Sequence, residues 1–398
     1  MAILLVVLTL SMLAADIYVV ITIQVHDEIW SNTYEALGSL VMSSIKQTSD
    51  GGYIIAGAVG RNAFLVKTDA DGNMQWNRTV SISDSIAMYA GDASDGGYMV
   101  IGSTTQGLLV LETNPNGVPG WNTTTPIGSQ QQITCAAQTT DGGYIVAGPN
   151  LLMKLDSAGD MQWNKAAGNS QIICVRQTSD NGYALSGYVG SGVYEEASLA
   201  KANATGDLQW QKTYNVISEA RCVQETPDGG YLMAGENLLI RLDQNGNVLW
   251  NKTYQGEYSA NVFISSIQNT SDGGYIIAGT TGISVEAEQF CLVKTDSQTN
   301  LTWKKILPEY AVGSECFIQQ TSGGYVIAGL SSKSPYRSAP YFWAAKVEGQ
   351  FSTTQSALQI GLSAAIPLAA SASLILCYEE YRSTKRRNKI GSTSSDHP

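Results

Sequence analysis

Short apolar runs alternate with polar, glycine-rich turns along most of the chain, and the same pattern returns many times. Residues 47–57 read QTSDGGYIIAG, a polar turn followed by a short apolar run that begins at a tyrosine. The tyrosines at which this pattern recurs are Tyr53, Tyr98, Tyr144, Tyr183, Tyr231, Tyr275 and Tyr325. A short motif that returns at an almost regular spacing indicates a repeat architecture rather than a series of unrelated domains.

A second motif follows each of the first six tyrosines. Residues 64–77 read FLVKTDADGNMQWN, an apolar run, an Asp- and Gly-rich turn and a segment that carries a tryptophan. The tryptophans of this motif are Trp76, Trp121, Trp163, Trp210, Trp250 and Trp303. Because glycine and aspartate favour tight turns, each repeat predicts four short strands. Four short strands that recur every ~40–50 residues are typical of a β-propeller blade.

The two ends of the repeat region complement each other. The seventh repeat contains residues 325–329 (YVIAG) and 342–349 (FWAAKVEG), but no tryptophan segment follows them. Residues 28–34 (EIWSNTY) resemble such a segment and precede the first repeat, with Trp30 in the register of the other tryptophans. We therefore predict that 28–34 provides the outer strand of the last blade. The predicted fold is all-β, a seven-bladed β-propeller over residues 27–350 that this N-terminal outer strand closes.

At these residues the chain resembles a known group of proteins. The repeat DGGYIIAG…LVKTDADGNMQW, read at residues 50–57 and 65–76, is similar to the repeats of archaeal and bacterial cell-surface β-propeller proteins. It resembles more distantly the tryptophan-docked blades of quinoprotein (PQQ-like) propellers. The first resemblance implies a surface protein; the second implies an enzyme with eight blades, a metal-held quinone and commonly an adjacent pair of cysteines. This chain has seven repeats and no two adjacent cysteines.

The N-terminal segment predicts export. Residues 2–15 are uncharged and apolar, and Ala14 and Ala15 are small residues of the kind found near a cleavage point. Asp16 then interrupts the apolar character, which continues to Val25. We predict a signal peptide, or alternatively an uncleaved signal anchor, over residues 1–25. A buried strand is the other interpretation of the same pattern.

The C-terminal segment predicts a membrane anchor. Residues 356–377 (SALQIGLSAAIPLAASASLILC) carry no charge and are long enough to cross a bilayer as a helix. The segment 378–398 follows with a basic cluster, which marks the cytoplasmic side of a membrane helix. We therefore predict a transmembrane helix over 356–377, a cytoplasmic basic tail over 378–398 and an extracellular propeller at the cell membrane. A soluble core helix is the alternative.

Composition excludes several classes of function. The net charge is -11 and only 14% of residues are charged, so the chain offers no broad cationic surface for nucleic acid. The two histidines, His26 and His397, lie near the ends, which removes the commonest general base from the repeats. We predict no catalytic residue, no cofactor and no metal site. Asp69 and Asp71 resemble the start of a calcium loop, but the glutamate that ends such a loop is missing, so turn capping explains them.

The repeated aromatic residues are interpreted as structural. The seven motif tyrosines and the seven tryptophans, Trp30 included, occupy one fixed place in each repeat, where large aromatic side chains fill the space between blades. Trp343 falls outside this register and is the better candidate for a surface position.

Six cysteines are present, and Cys377 belongs to the predicted helix. Cys135, Cys174 and Cys222 each precede a motif tyrosine by nine residues, and Cys316 does so in the repeat with a shorter turn. We interpret them as small buried packing residues rather than as a metal cluster.

Sequons are the best-supported surface chemistry in the sequence. Asn-x-Ser/Thr occurs at Asn77, Asn122, Asn203, Asn251, Asn269 and Asn300. Asn77, Asn122 and Asn251 directly follow a blade tryptophan, on the predicted outermost strand, where a glycan would be accessible.

The sequence therefore predicts a membrane-anchored extracellular propeller with a binding, adhesion or cell-envelope structural role and no catalytic activity. An extracellular protein or glycan is the expected partner, on one face of the ring with loops 190–197, 280–290 and 331–341. The alternative is a propeller enzyme, either a quinone-dependent dehydrogenase or a carboxylate-based glycan hydrolase or lyase. Its carboxylates would come from the longer loops, at Glu195, Glu196, Glu286 and Glu288.

Overall fold

The computed structural model describes most of the chain as strands and turns. The described residues are 6–13, 16–25, 28–36, 38–127, 132–168, 170–191, 195–215, 217, 219–254, 262–284, 287–332, 340–349 and 352–360. They contain thirty strands and no helix, which confirms the all-β prediction. The chain divides into two compact units, one formed mainly by His26–Phe351 and one that contains the strands before and after it.

The second unit is a three-stranded antiparallel sheet. Its strands are β1 (Val6–Leu13), β2 (Asp16–Val25) and β30 (Ser352–Ile360), in the order β1-β2-β30. The first residues of the predicted membrane helix, Ser356–Ile360, lie in β30, because they pair with the β-branched run of β2. The rest of that span and the basic tail, residues 361–398, lie outside the described residues. In the part of the chain that is described, no helix has the length and apolar character to cross a membrane.

The first unit begins its repeats with a four-stranded antiparallel sheet. Its strands are β4 (Leu40–Gln47), β5 (Tyr53–Val59), β6 (Asn62–Thr68) and β7 (Met74–Ser83), paired in chain order. The strand β3 (Glu28–Tyr34), which precedes them, belongs to another sheet. The predicted turns SDGG and DADGN therefore join the first strand to the second and the third to the fourth.

Four more sheets repeat this arrangement, each with its strands paired in chain order. The second sheet contains β8 (Ile86–Asp92), β9 (Tyr98–Thr104), β10 (Gly107–Thr113) and β11 (Pro119–Thr125). The third contains β12 (Cys135–Gln138), β13 (Tyr144–Gly148), β14 (Leu151–Leu155) and β15 (Met161–Lys165). The fourth contains β16 (Gln171–Gln177), β17 (Tyr183–Val189), β18 (Glu196–Ala202) and β19 (Leu208–Tyr214). The fifth contains β20 (Cys222–Glu225), β21 (Tyr231–Gly235), β22 (Leu238–Leu242) and β23 (Val248–Thr253).

The last sheet has seven strands and includes β3. It contains β24 (Val262–Asn269), β25 (Tyr275–Ser284), β26 (Ala287–Thr295), β27 (Leu301–Thr321), β28 (Gly324–Ser332) and β29 (Tyr341–Glu348), and then β3 at its edge. The first part of β27 pairs with β26 and its last part pairs with β28, so one long strand serves two groups of strands. In the pairing of β3 with β29, Trp30 lies opposite Lys346, just as Trp76 lies opposite Lys67 in the first sheet. This confirms the predicted pairing of 28–34 with the end of the repeats.

Within the first unit, the successive sheets are arranged in a closed ring. Their first strands contact one another in the order β4, β8, β12, β16, β20 and β24, followed by β27, which contacts β4 again. Neighbouring sheets bury apolar side chains between them on both sides. In β5, for example, Ile55 packs toward Phe342 and Ala344, while Ile54 packs toward Val100 of the next sheet. Strands covered on both faces need continuous apolar runs, which explains YIIAG and FLVKT.

Two glycines of the DGGY turn have different physical roles. Gly51 has φ +83°, a conformation that glycine adopts readily, and Asn181 with φ 62° occupies the same place in the fourth sheet. Gly52 has no room for a side chain, since an added Cβ would overlap the carbonyl oxygen of Thr68. The first glycine can therefore be asparagine, whereas the second cannot carry any side chain.

Candidate functional site

The long loops and the short turns of the first unit open on opposite faces. Because the strands of each sheet run antiparallel in chain order, turns between first and second strands and between third and fourth strands share one face, here called the turn face. The connections between second and third strands open on the other face, the loop face. Segments 190–197 and 331–341 contain connections of this second kind, between β17 and β18 and between β28 and β29. The third predicted loop, 280–290, is mostly strand, because 280–284 belong to β25 and 287–290 to β26. Residues 192–194, 285–286 and 333–339 of these segments lie outside the described residues.

The acidic residue of the SDGG turn is a turn cap that also pairs with a buried cation. Asp50 accepts hydrogen bonds from the Thr48 hydroxyl at 2.6 Å and the Gly52 amide at 3.0 Å. Its other carboxylate oxygen lies 2.7 Å from Nζ of Lys67, whose side chain is 1% exposed. The equivalent pairs are Lys154–Asp141, Lys201–Asp180, Arg241–Asp228 and Lys294–Asp272. The cationic partner of this turn cap, missed in the sequence, is the basic residue that ends the apolar run of the third strand in these five repeats.

Two of the repeats replace this pair. In the second sheet Glu112 stands at the place of Lys67, and its carboxylate accepts a hydrogen bond from Nε1 of Trp121. In the last repeat Ser322 stands at the place of Asp50, so that Lys346 has no aspartate in that turn. The pair therefore stabilises individual sheets and is not a functional cluster.

Hydrogen bonding depresses the pKa of the turn aspartates. Partial burial raises the pKa of Asp141, but hydrogen bonds from Thr139, Lys154 and the Gly143 amide outweigh it and hold the pKa at about 2. The pKa of Asp180 and of Asp272 is lowered to about 2 in the same way. An aspartate in an unfolded chain has a pKa of about 3.9, so the folded state binds these protons only at lower pH.

We expect the protein to lose stability as the pH falls from about 4 to about 2. A depressed aspartate pKa stabilises the fold above the unfolded value, and that contribution disappears as the pH falls through the folded value. Each carboxylate is more than half exposed, so each contributes only about 0.5–1 kcal/mol. The test is urea unfolding between pH 2 and 6 of the wild type and of the triple variant Asp141→Asn, Asp180→Asn, Asp272→Asn. The free energy of unfolding of the triple variant should depend less on pH than that of the wild type. The variant Asp71→Asn, in an exposed turn without an ion pair among the described residues, is the control; equal slopes for triple variant and wild type would contradict the prediction.

The second turn of each repeat caps itself. The carboxylate of Asp69 accepts hydrogen bonds from the amides of Asp71 at 3.0 Å and Asn73 at 2.8 Å, and Nδ2 of Asn73 donates to it at 3.0 Å. These interactions use the carboxylate oxygens that a calcium ion would need. Within the described ranges, no group of three or more His, Cys, Asp or Glu side chains is arranged to hold a metal ion.

Side chains at the ends of the first strands join neighbouring sheets on the turn face. The amide of Ser49 donates to Asp92 of the next sheet at 2.7 Å, and the amide of Ser179 donates to Glu225 at 2.7 Å. The amide of Thr140 donates to Gln177 of the next sheet in the same way, and the amide of Ser271 donates to Gln320 within the last sheet. Pro227 occupies the equivalent turn position without an amide proton, and there Nδ2 of Asn269 donates instead to the carbonyl of Glu225 at 3.2 Å.

The repeated tryptophans pack against the following sheet. Trp30 donates from Nε1 to the carbonyl of Ala70 at 3.2 Å, and its ring lies over Gly72, where an added Cβ would be 2.6 Å from the ring. The ring centroids of Trp30 and Tyr53 are 5.6 Å apart. Trp76, Trp163, Trp210 and Trp303 contact Tyr98, Tyr183, Tyr231 and Tyr325 similarly. Trp250 is half-buried, Trp121 is exposed, and the seven motif tyrosines are buried.

Trp343, the tryptophan outside the repeat register, lies in the core and not at the surface. Its side chain is fully buried and stacks on Phe290 with ring centroids 4.6 Å apart. Trp343 belongs to β29, a third strand, whose two faces are covered by neighbouring strands and sheets. Its Nε1 donates to the hydroxyl of Ser31 at 2.9 Å, which joins β29 to the closing strand β3.

The structure assigns the cysteines to two different registers. Cys135, Cys174 and Cys222 lie opposite Ala147, Ser186 and Ala234, which are equivalent positions of three second strands. Cys316 lies opposite Gly329, one residue out of this register, and Phe317 takes the equivalent place. The five cysteines that the structure describes form no disulfide, and burial raises the pKa of the Cys316 thiol to about 12. A thiol held neutral in this way is a poor nucleophile.

The carboxylates proposed for an enzyme belong to separate sheets. Glu196 begins β18 of the fourth sheet and Glu195 directly precedes it, while Glu288 lies in β26 of the last sheet. The carboxylate of Glu288 accepts a hydrogen bond from the Thr280 hydroxyl at 3.1 Å. Glu286 lies outside the described residues.

The sequons differ in accessibility. Asn122 and Asn251 are exposed on the outermost strands β11 and β23, while Asn77 on β7 is half-buried. Asn300 donates a hydrogen bond from Nδ2 to Asp296 at 3.0 Å. Within its turn, Asn203 accepts a hydrogen bond from the Thr205 hydroxyl at 2.8 Å. Asn269 is engaged between sheets as described above. Asn122 and Asn251 are therefore the most accessible acceptors among the six.

The sequence itself matches no family model, and no curated protein matches it. Solved structures do resemble it. A virginiamycin B lyase from Staphylococcus aureus has a TM-score of 0.57 at 11% identity, over 80% of this chain and 98% of that chain. The Pan2 WD40 domain of Neurospora crassa has a TM-score of 0.55 at 10% identity, over 84% and 96%. BBS1N, solved in complex with ARL6DN, has a TM-score of 0.53 at 10% identity, over 82% and 96%. At these identities the likeness concerns the fold alone, and that fold is a β-propeller.

Proposed function

We propose that the protein is a membrane-anchored extracellular binding module built on a seven-bladed β-propeller. The observation that supports a binding role is the topology: the connections between second and third strands, which include the two longer ones after β17 and after β28, all open on the loop face of a ring whose sheets are joined by side-chain hydrogen bonds. Long connections on a rigid scaffold are where binding residues concentrate. A structural role in the cell envelope would use the same surface.

The blade number rests on the first strands and on β27. Seven first strands follow one another in the cyclic contact series, if the end of β27 is counted as one of them. In this interpretation β27 is the outer strand of the sixth blade up to about Pro308 and the inner strand of the seventh from Cys316 onward. The seventh blade then consists of the end of β27, β28, β29 and β3.

The location rests on the sequence. Residues 1–25 would direct export, residues 356–377 would cross the membrane, and residues 378–398 would lie in the cytoplasm. Asn122 and Asn251 are the acceptors that we expect to carry glycans first, because both are exposed on outermost strands. The expected ligand is an extracellular protein or a glycan, and no cofactor takes part.

A binding screen with the full-length protein in detergent, against glycan arrays and extracellular proteins, tests this function. Replacing residues 190–195 by the two-residue connection Pro149–Asn150 of the third sheet should abolish binding of the ligand found. Replacing residues 156–160 by the turn 69–73 changes the turn face instead and should leave binding intact. Binding that depends equally on both faces would contradict the loop-face proposal, and turnover of a glycan or of a quinone-linked substrate would favour the enzyme alternative.

A further inference from the structure

The outer strand of the second sheet has a free edge. β11 (Pro119–Thr125) pairs with β10 on one side, and no strand in the described part of the chain pairs with its other side. Residues 119–123 are exposed, and Thr124 and Thr125 are half-buried. The backbone N–H and C=O groups on the free side are therefore open to another strand.

β11 carries no charged residue, unlike the outer strands of the other sheets. Its sequence is PGWNTTT, with Thr123 two positions after the tryptophan. A basic residue takes this position in β7, β15, β19, β23 and the first part of β27: Arg78, Lys165, Lys212, Lys252 and Lys305. β3 has Asn32 there and begins with Glu28. Charges on an edge strand oppose pairing with another molecule, so β11 lacks a protection that the other outer strands have.

Trp121 leaves its ring uncovered on this strand. It is 39% exposed, whereas Trp303 is 6% exposed. Nε1 of Trp121 donates to the Glu112 carboxylate within its own sheet, while Nε1 of Trp76 donates to the carbonyl of Pro115 in the next sheet. Tryptophan and threonine both favour strands, and burial of a large aromatic ring is favourable. A strand added to β11 would bury this ring.

A second copy of this chain fits the free edge. In an antiparallel strand pair related by a two-fold axis, the residue at the axis lies opposite the same residue of the other copy. On β19, Lys212 at the axis would face a like charge, which is destabilising. On β11, Thr123 would face a threonine, which is a favourable cross-strand pair. The charge pattern therefore permits self-pairing of β11 and opposes self-pairing of the strands that carry lysine or arginine.

Two prolines set the register of such a pair. Pro119 and Pro126 lack the N–H group that a strand ladder needs, and they stand on either side of the regular part of β11. That part, residues 121–125, is centred on Thr123. A two-fold axis at Thr123 places Trp121 opposite a threonine of the second copy, and aromatic residues pair well with β-branched ones.

We propose that β11, when Asn122 carries no glycan, pairs antiparallel with β11 of a second copy about a two-fold axis at Thr123. The two second sheets then form one continuous sheet. A glycan on Asn122 would stand beside the axis and block the pair, so glycosylation of Asn122 and this dimer exclude each other. The dimer does not use the loop face, so it can form whether or not the proposed binding function is correct.

Disulfide cross-linking of the full-length protein in detergent tests the geometry. The protein is made in a host without N-glycosylation, and Cys377→Ser removes the thiol of the C-terminal segment from every variant. Thr123→Cys places two thiols at the axis and should give a covalent dimer under mild oxidation. Thr253→Cys changes an exposed threonine of β23, next to Lys252, and as the matched control it should stay monomeric.

Sedimentation equilibrium of the unglycosylated protein tests the charge argument. The dissociation constant of the dimer should rise at least about tenfold in Thr123→Lys, because the new ammonium groups face each other at the axis. Thr213→Lys adds the same charge to an exposed position of β19 and should retain the dimer. From a glycosylating host the wild type should be monomeric, and Asn122→Gln should restore the dimer.

Four outcomes would each overturn the proposal. They are a monomeric unglycosylated wild type, a Thr123→Lys variant that associates as tightly as the wild type, an equal loss of the dimer in Thr213→Lys, and equal cross-linking of Thr253→Cys and Thr123→Cys. Thr123 is exposed, so its substitutions leave the fold intact, and the unfolding midpoint of each variant verifies this.

Discussion

Deletion of residues 28–34 from the full chain is expected to lower the free energy of unfolding by about 5 kcal/mol or more. The deletion removes the strand that pairs with β29 and thereby leaves the last sheet without its outer edge. It also removes Trp30 and Tyr34; the Tyr34 side chain is 2% exposed and its hydroxyl donates to the carbonyl of Gly72 at 2.9 Å. Trp343 would lose the hydrogen bond to Ser31.

Urea unfolding followed by tryptophan fluorescence measures this effect. Single substitutions in the same strand should lower the free energy of unfolding by different amounts, because the side chains they replace differ in burial. Trp30→Ala should cost about 2–3 kcal/mol, since its half-buried ring packs on Gly72 and Tyr53. Ile29→Ala is the matched control, because Ile29 is 48% exposed and should change stability by less than about 0.5 kcal/mol. A deletion variant with the unfolding midpoint of the wild type would show that β3 does not hold the ring closed.

The substitution Gly52→Ala is expected to destabilise the protein by about 3 kcal/mol or more. The new methyl group would overlap the carbonyl oxygen of Thr68 and would also crowd Nζ of Lys67. A carbonyl oxygen of the backbone cannot move aside without disturbing the hairpin of β5 and β6. The ion pair of the buried Lys67 with the exposed Asp50 would be displaced at the same time.

Gly51→Asn is the control for this experiment. It changes the neighbouring glycine to the residue that the fourth sheet uses at the same place, where Asn181 has φ 62°. A side chain at Gly51 meets only the Cβ of Ala70, at 3.9 Å. Denaturant unfolding should therefore show a loss of less than about 1 kcal/mol for Gly51→Asn. Equal losses for the two variants would mean that the close approach of Gly52 to Thr68 is not what requires a glycine there.

The repeat was readable from the sequence because its physical causes are local. Each repeat has a turn that needs glycine, a strand covered on both faces and a tryptophan segment. Each of these requires particular residue types, which therefore recur in the sequence at a fixed spacing. Ring closure could also be predicted. The first repeat is preceded by an extra tryptophan segment, 28–34, the last repeat lacks one, and Trp30 has the spacing that the missing tryptophan would need. These features depend on one repeat or on counting repeats, and neither requires knowledge of three-dimensional contacts.

What the sequence did not reveal depends on contacts between separate strands. The pairing of Lys67 with Asp50 joins β6 to the turn between β4 and β5, but its lysine is hidden in an apolar run that looks complete without it. The register of Cys316 shifted because the shorter turn before Tyr325 moves the pairing by one residue, and one residue reverses the side of the strand. Trp343 appeared exceptional in the sequence because its stacking partner, Phe290, comes from another part of the chain.

The pairing of β3 with β29 also has a consequence for the order of folding during synthesis. Ser31 and Trp343, which meet across these strands, are 312 residues apart in the chain. The ribosome therefore releases β3 first, yet its partner strand is among the last segments of the ring to be made. Throughout that interval β3 and the growing edge of the ring expose unpaired backbone groups, the condition under which strands of different molecules associate. Contacts between such distant residues form slowly, so ring closure is expected to be the late, rate-determining step of folding.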